Sequence, residues 1–273
     1  MRGDQLSSII SKAIGNNYTV DFKPLNSGYR NSILFMTKSA VSTVSIDELD
    51  SLSDKGNILL FDANDGILDE SKIKFADVIV ASSSIALDGY SNKYPNKEVV
   101  LIDHHVDPRI HQGRRIEGDK PKIGYFGEPT NTILTDKLSN LIDVFHVDTS
   151  SQDNISWIKH INKYNVHYAV RNKRDFDDFK PATKIFTAAY CRANVIIQES
   201  ETEALRWLGE EYPYIIRGEV SGSSIENMVE KVINTYKKHE WYKGLESMDY
   251  IRNKLTNERI VGQFSHLLDI LNR

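Results

Sequence analysis

The string VVLIDHHVDPRI packs the most chemistry into the fewest residues: an apolar run, then Asp103, His104, His105 and Asp107. An unperturbed imidazole titrates near pH 6.5, so His104 or His105 is suited to act as a general base near neutrality. If the apolar run is a strand of a parallel sheet, its carboxyl end opens on the crevice where such folds bind ligands. The architectural alternative is that both histidines make hydrogen bonds between domains and hold the connection that follows.

Two further strings have the makings of an anion site. In KIGYFGEPTNT a strand runs into Gly127, Glu128, Pro129, Thr130 and Asn131. A glycine there lets backbone approach a ligand, and the start of a following helix would offer unpaired N–H groups to a phosphate. Neither G-x-G-x-x-G nor G-x-x-x-x-G-K-[ST] is present. In FKPATKIFTAAYCRANVIIQESETEA, Lys180 and Lys184 flank Pro181 at a predicted helix start, where the dipole adds to their positive charge. Upstream, HYAVRNKR sets His167 and Arg171 at a strand end, and a guanidinium can grip phosphate oxygens bidentately. Downstream, Glu199, Glu201 and Glu203 follow another strand, where a carboxylate can accept hydrogen bonds from ribose hydroxyls. The ordinary role of each lysine is a solvated surface charge.

These residues need a scaffold, and the apolar pattern supplies one. Leu6, Ile9, Ile10 and Ala13 share a helical face near the start. Strands are predicted over residues 18–22, 33–36, 58–61, 78–81 and 99–102. They are nearly continuous in Val, Ile, Leu and Phe, the pattern of a parallel sheet covered on both faces. The connections 45–53 and 84–94 suit crossover helices. Residues 108–121 are rich in Gly, Pro and mixed charge, and a domain boundary is placed there. The alternation then restarts: strands at 123–126, 144–147, 166–170 and 195–197, and helices near 131–141, 155–163, 181–191 and 201–208. Helices close the chain, with Ile225, Met228, Val229, Val232, Ile233 and Tyr236 on one face and Ile260, Val261, Phe264, Leu267, Leu268 and Leu271 on another.

The chain of 273 residues is 40% hydrophobic and 26% charged, which excludes a disordered or collagen-like polypeptide. A formal charge of -4 gives no global pull toward nucleic acid. Its only cysteine, Cys191, cannot close an internal disulfide, which points to a reducing compartment and hence the cytoplasm. No transmembrane segment is expected, since nowhere do about 18 apolar residues run together; peripheral contact with a membrane stays open.

Asp103, His104 and His105 resemble the motif of the DHH phosphoesterases, whose metal site also takes His and Asp from an earlier strand end. Asp62 and Asp65 of LLFDAND supply one part, but no histidine precedes His104. The order and separation of LIDHHVD, IGYFGE, FKPATKIFTAAYCRANVII and GEEYPYI resemble a bacterial glycosyltransferase of the GT-B type over most of the chain. This resemblance implies an α/β fold of two Rossmann-like domains, residues 1–112 on the acceptor side and 113–273 for the nucleotide sugar, with parallel sheets flanked by helices, a cleft between the domains and a helical C-terminus, its last helix expected to pack back onto the first domain. It implies transfer of a sugar from a nucleotide diphosphate to a glycan or other hydroxyl acceptor, as in polysaccharide biosynthesis. Carried over by residue, Gly127 and Glu128 lie at the diphosphate turn, Arg171, Lys180 and Lys184 around the phosphates, Glu199 or Glu203 near the ribose, and His104 or His105 faces sugar and acceptor. No metal and no cofactor beyond the donor are expected, because basic side chains and a helix dipole stabilise the departing diphosphate.

The chain departs from the family in two ways. Only Met1-Arg2-Gly3 precedes the first helix, where a strand and glycine-rich turn are usual. The Glu-x7-Glu pair of many retaining enzymes is not evident, so stereochemistry is open. Alternatives to transfer are a metal-dependent DHH-type phosphoesterase, a catalytically silent nucleotide-sugar-binding protein, and a module whose polar motifs only hold domains together.

Overall fold

The computed structural model describes residues 2–15, 17–147, 155–172 and 179–272. The chain divides into two compact units: Met1–His105 with Asp175–Pro181 and Thr256–Arg273, and Val106–Arg174 with Ala182–Leu255.

The first unit opens with α1 (Arg2–Ile14) and continues through β1 (Ile33–Thr37), α2 (Lys38–Thr43), α3 (Ile46–Asp54), β2 (Ile58–Asp62), β3 (Val78–Ala81), α4 (Ser84–Lys93) and β4 (Glu98–Leu101). The strands form a parallel sheet in the order β1-β2-β3-β4. All four residues of β3 are buried, as are Leu59, Leu60 and Phe61 of β2. Side chains alternate across a sheet, so burial of consecutive residues requires cover on both faces, which explains the unbroken apolar runs. Leu49 and Leu52 of α3 and Tyr90 of α4 pack with Leu59, Phe61 and Ile79 into the core, each buried side chain of this size contributing about 1.5–3 kcal/mol. Helix starts are set locally: Ser45 and Glu48 form a reciprocal capping box on α3, and the Ser83 hydroxyl accepts from the Ala86 N–H to cap α4.

The second unit contains β5 (Ile123–Gly127), β6 (Ile142–His146), α5 (Ile158–Ile161), β7 (Val166–Tyr168), α6 (Thr183–Tyr190), β8 (Asn194–Gln198), α7 (Thr202–Leu208), β9 (Ile215–Ile216), α8 (Gly222–Thr235) and α9 (His239–Lys254). Its sheet is parallel, ordered β6-β5-β7-β8-β9. After β5 the chain steps outward to β6, then returns to the other side of β5 as β7. The carboxyl ends of β5 and β7 therefore flank the point where strand order reverses. The last helix, α10 (Asn257–Leu271), belongs to the first unit again.

The α/β class and the parallel sheets are those expected, and four particulars differ. Residues 18–22 form no strand: β1 pairs only with β2, and among the described residues nothing ladders onto its other side, leaving Tyr18 and Phe22 36% and 51% exposed. Residues 131–141 form no α-helix: one 3-10 turn, Pro129–Asn131, ends where the helix was expected to begin, and another spans Leu138–Asn140. Their backbone is drawn elsewhere: Thr132 bridges Arg171, and the Asn172 N–H donates to the Asn131 carbonyl (3.2 Å). The division falls after His105 instead of at residue 112, because Ile110 is buried with Trp157, Ile161 and Cys191 of the second unit, with Val106 packed against them. Lys180 falls in the first unit although it lies beyond the expected boundary, and α10 joins that unit too, as expected of a C-terminal helix that packs back onto the first domain. No helix among the described residues is long and apolar enough to cross a membrane.

Candidate functional site

In open α/β sheets the ligand crevice lies at the carboxyl ends of the strands where their order reverses. In the second unit that position is occupied by Gly127, the last residue of β5, and by Arg171, three residues beyond β7. A Cβ on Gly127 would sit 2.7 Å from the Tyr125 hydroxyl and 3.2 Å from Lys184 Nζ, so glycine alone leaves room for this arrangement. Lys184 comes from the first turn of α6, and its ammonium stands 3.9 Å from the centroid of the Tyr125 ring. The Tyr125 hydroxyl donates to the Glu128 carbonyl (2.8 Å), tying the ring to the turn it supports. Helix α6 begins at Ala182 without a side-chain cap, so its leading N–H groups and the Lys184 charge act at the same end of the helix.

Glu128 is exposed at the outer side of the turn. Its carboxylate accepts from the Thr130 hydroxyl (3.3 Å) and pairs with His146 Nε2 at 2.9 Å. Arg171 is 7% exposed, and its guanidinium meets Glu201 as a fork: Nε to Oε1 at 2.8 Å and Nη2 to Oε2 at 3.0 Å. Its backbone N–H donates to Gln198 Oε1 at 2.9 Å. Glu199 turns to the rim, where it accepts from Arg217 Nη1 and from the Gly218 N–H, both at 3.0 Å, and these contacts hold its carboxyl below the usual range. Glu203 is buried on α7 and accepts from Trp207 Nε1 at 3.0 Å. Of the three glutamates, the one missed in choosing ribose candidates, Glu201, is the partner of Arg171. Tyr125 and Gln198 were also missed; a strand interior and a strand end gave no chemical signal. His167, expected at the sheet edge, lies buried within β7, and burial pushes its imidazole down to about 4 despite the Ile161 carbonyl.

Lys180 belongs to the first unit, so the two lysines that flank Pro181 are divided between the units. Beside Lys180, the Phe179 carbonyl accepts from the Ser83 hydroxyl (3.1 Å), and the Phe179 ring packs against Tyr90.

His104 and His105 lie just past β4 at the carboxyl edge of the first sheet. The His104 N–H donates to the Ser82 carbonyl at 3.0 Å, and its Nδ1 lies 2.9 Å from the His105 carbonyl. A carbonyl only accepts, so Nδ1 carries the proton and Nε2 keeps its lone pair. Burial lowers the His104 pKa to about 4, with the Arg2 guanidinium acting in the same direction. His105 is 3% exposed, both of its ring nitrogens are buried without a hydrogen bond, and burial followed by His104 lowers it to about 2. Asp62, also fully buried, pairs with Arg2, whose Nη2 donates to the Ile102 carbonyl (2.7 Å). The Asp103 carboxylate is held by Arg259 and Gln263. Among the described residues no three His, Cys, Asp or Glu side chains converge as metal ligands would.

No family model matches the chain and no curated protein matches it. Solved structures do. The pneumococcal O-GlcNAc transferase GtfA, in complex with UDP and GlcNAc, superposes with a TM-score of 0.59 at 11% identity, covering 85% of this chain and 56% of its own. A glycosyltransferase from Rickettsia africae gives 0.59 at 11% identity over 96% of this chain and 79% of its own. The fold is GT-B. Anabaena HepE in complex with UDP extends the GT-B likeness, with a TM-score of 0.53 at 8% identity over 97% of this chain and 81% of its own. The chain spans little more than half the length of GtfA. Within the GT-B fold, Gly127, Tyr125 and Lys184 form the cluster at the strand-order reversal of the second sheet.

Proposed function

We propose that the protein is a glycosyltransferase whose second unit binds a nucleotide diphosphate sugar. The observation that carries this reading is the meeting of Gly127, the Lys184 ammonium and the uncapped start of α6 at the strand-order reversal. Backbone N–H groups, a helix dipole and a cation together suit a diphosphate, whose negative charge grows as it leaves. In the reaction the bond from the sugar's anomeric carbon to the diphosphate oxygen breaks, and the oxygen keeps the electron pair. A bond forms from that carbon to an acceptor hydroxyl oxygen, whose proton passes to His104 Nε2. The buried His105 has no part in proton transfer. Lys184 neutralises the leaving group, so no metal or separate cofactor is required. The side chains of Glu128 and Glu199 are exposed and within reach of a ligand at the rim; Arg171 is engaged by Glu201, and Glu203 is buried against Trp207. Lys180 is assigned no phosphate contact.

UDP accompanies both GtfA and HepE and is the first nucleotide to test; the acceptor is a glycan or another hydroxyl compound. The DHH-type phosphoesterase reading is weakened because Asp103 Oδ2 already receives bonds from Arg259 and Gln263. Thermal unfolding with millimolar UDP, GDP, ADP or CMP sugars tests the donor. One of them should raise Tm by mass action in the wild type and not in Lys184→Ala. A Tm unmoved by every nucleotide ends the reading, and binding without turnover over a panel of hydroxyl acceptors replaces it with a silent binder.

A further inference from the structure

Resting on the reading of His104 as the proton acceptor, we propose that Gln263 is a positioning residue for it, acting from α10 through Asp103 and assisted by Arg259. Gln263 grips Asp103 at two points: its Nε2 donates to Asp103 Oδ2 (2.9 Å) and its Oε1 accepts from the Asp103 N–H (3.0 Å). Arg259 Nε, one helical turn earlier on the same face, donates to the same carboxylate oxygen at 2.7 Å. From the other side, Arg2 on α1 donates to the Ile102 and Asp103 carbonyls at 2.7 and 3.3 Å. The peptide units on either side of Asp103 are thereby fixed by two helices drawn from opposite ends of the sequence.

His104 follows at once, with its backbone N–H on Ser82 and its Nδ1 on the His105 carbonyl. The latter contact sets the tautomer, and it spans adjacent residues, so it survives only while the backbone dihedrals between His104 and His105 hold. A side chain amide that both donates to and accepts from one residue leaves that residue little rotational freedom. Asp103 is 2% exposed, so losing Gln263 strands a buried N–H and weakens the hold on a buried carboxylate; the turn is then driven to rearrange. The bonds of this clasp described above all join residues of the first unit, so the His104 turn is the group on which a change at Gln263 acts first.

The test replaces Gln263 and reads His104 directly. In Gln263→Leu, kcat is expected to fall about 10- to 100-fold with the donor KM unchanged. Imidazole 15N shifts of His104, which mark a single Nδ1–H tautomer in the wild type, should move toward a mixture of tautomers. The double variant Asp103→Asn with Gln263→Glu re-forms both bonds with one direction reversed, keeps a carboxylate for Arg259, and should recover most of the rate and the wild-type shifts. Arg259→Met, at a more exposed position, gives the same two readouts in the event that Gln263→Leu does not fold. A folded Gln263→Leu with wild-type kcat and wild-type His104 shifts overturns the proposal. If the wild type transfers no sugar, the glycosyltransferase reading fails on its own account, and the 15N shifts alone decide the clasp.

Discussion

The ammonium of Lys184 lies over the face of Tyr125, 3.9 Å from the ring centroid, and the same ring sends its hydroxyl to the carbonyl of Glu128. A cation on an aromatic face gains about 0.5–2 kcal/mol. Here the gain fixes where the charge stands relative to the Gly127 turn, which matters more to an arriving anion than the gain itself. Lysine alone would sample many rotamers; Tyr125 narrows them.

The first prediction follows from that crowding. Gly127→Ala puts a methyl group 2.7 Å from the Tyr125 hydroxyl and 3.2 Å from Lys184 Nζ, so both must shift. The affinity for the nucleotide should drop about tenfold, or about 1.4 kcal/mol, by titration calorimetry. Tyr125→Phe keeps the ring face but frees the turn, and should weaken binding less.

Arg171 and Glu201 of the second unit form a largely buried ion pair, with side chains 9% and 22% exposed. Arg171→Met and Glu201→Leu should each cost about 3 kcal/mol in urea unfolding, since either breaks the fork between two poorly solvated charges. The double variant should cost less than the two together by about 1–3 kcal/mol. Additive losses would mean that the fork contributes little.

Acid should weaken the fold before the carboxylates titrate. His104, His105 and His167 have folded-state pKa values lowered from 6.5 to about 4, 2 and 4. Below pH 6.5 the unfolded chain takes up protons that the folded chain refuses, so stability is full above that pH and declines as pH falls toward the folded values. Between pH 6.5 and 5 the proton uptake on unfolding should approach three, one for each histidine. His105→Leu should lower that number by one and be at least as stable as the wild type at pH 5, because it removes two buried nitrogens that have no partner.

The rate should show the opposite tolerance. A base held near 4 is already unprotonated at pH 6, so kcat/KM for transfer should stay flat from pH 7 to about 5 and fall only as pH nears 4. His104→Ala should lower kcat by 100-fold or more, and His105→Leu should keep most of it. An acid limb centred at 6.5 would assign the titration to a solvated histidine instead.

The sheets were legible because parallel strands must be apolar on both faces, and VIVA and ILLF announce that without reference to a partner. Residues 18–22 carry a similar signal but lack a neighbouring strand, and pairing is a property of the fold. The Gly127 turn and Lys184 could be read from residue type and position, whereas Tyr125 could not, since an aromatic inside a strand reads as core. Glu199, Glu201 and Glu203 are equivalent by spacing; only the turn after β8 aims one of them at Arg171. The apolar face of α10 was evident and its return to the first unit was expected, but an apolar stripe does not say that Arg259 and Gln263 beside it will hold Asp103.

That last helix has a bearing on how the protein comes into being. Asp103 and Gln263 are 160 residues apart in the chain. On a ribosome, all the strands of the second sheet emerge before the brace for the first sheet's histidine turn has been made. The nascent protein can thus assemble the sheet of its second unit while the first unit still waits for its closing piece. A stop codon shortly before Asn257 would spare every residue assigned to the donor and yet leave His104 slack.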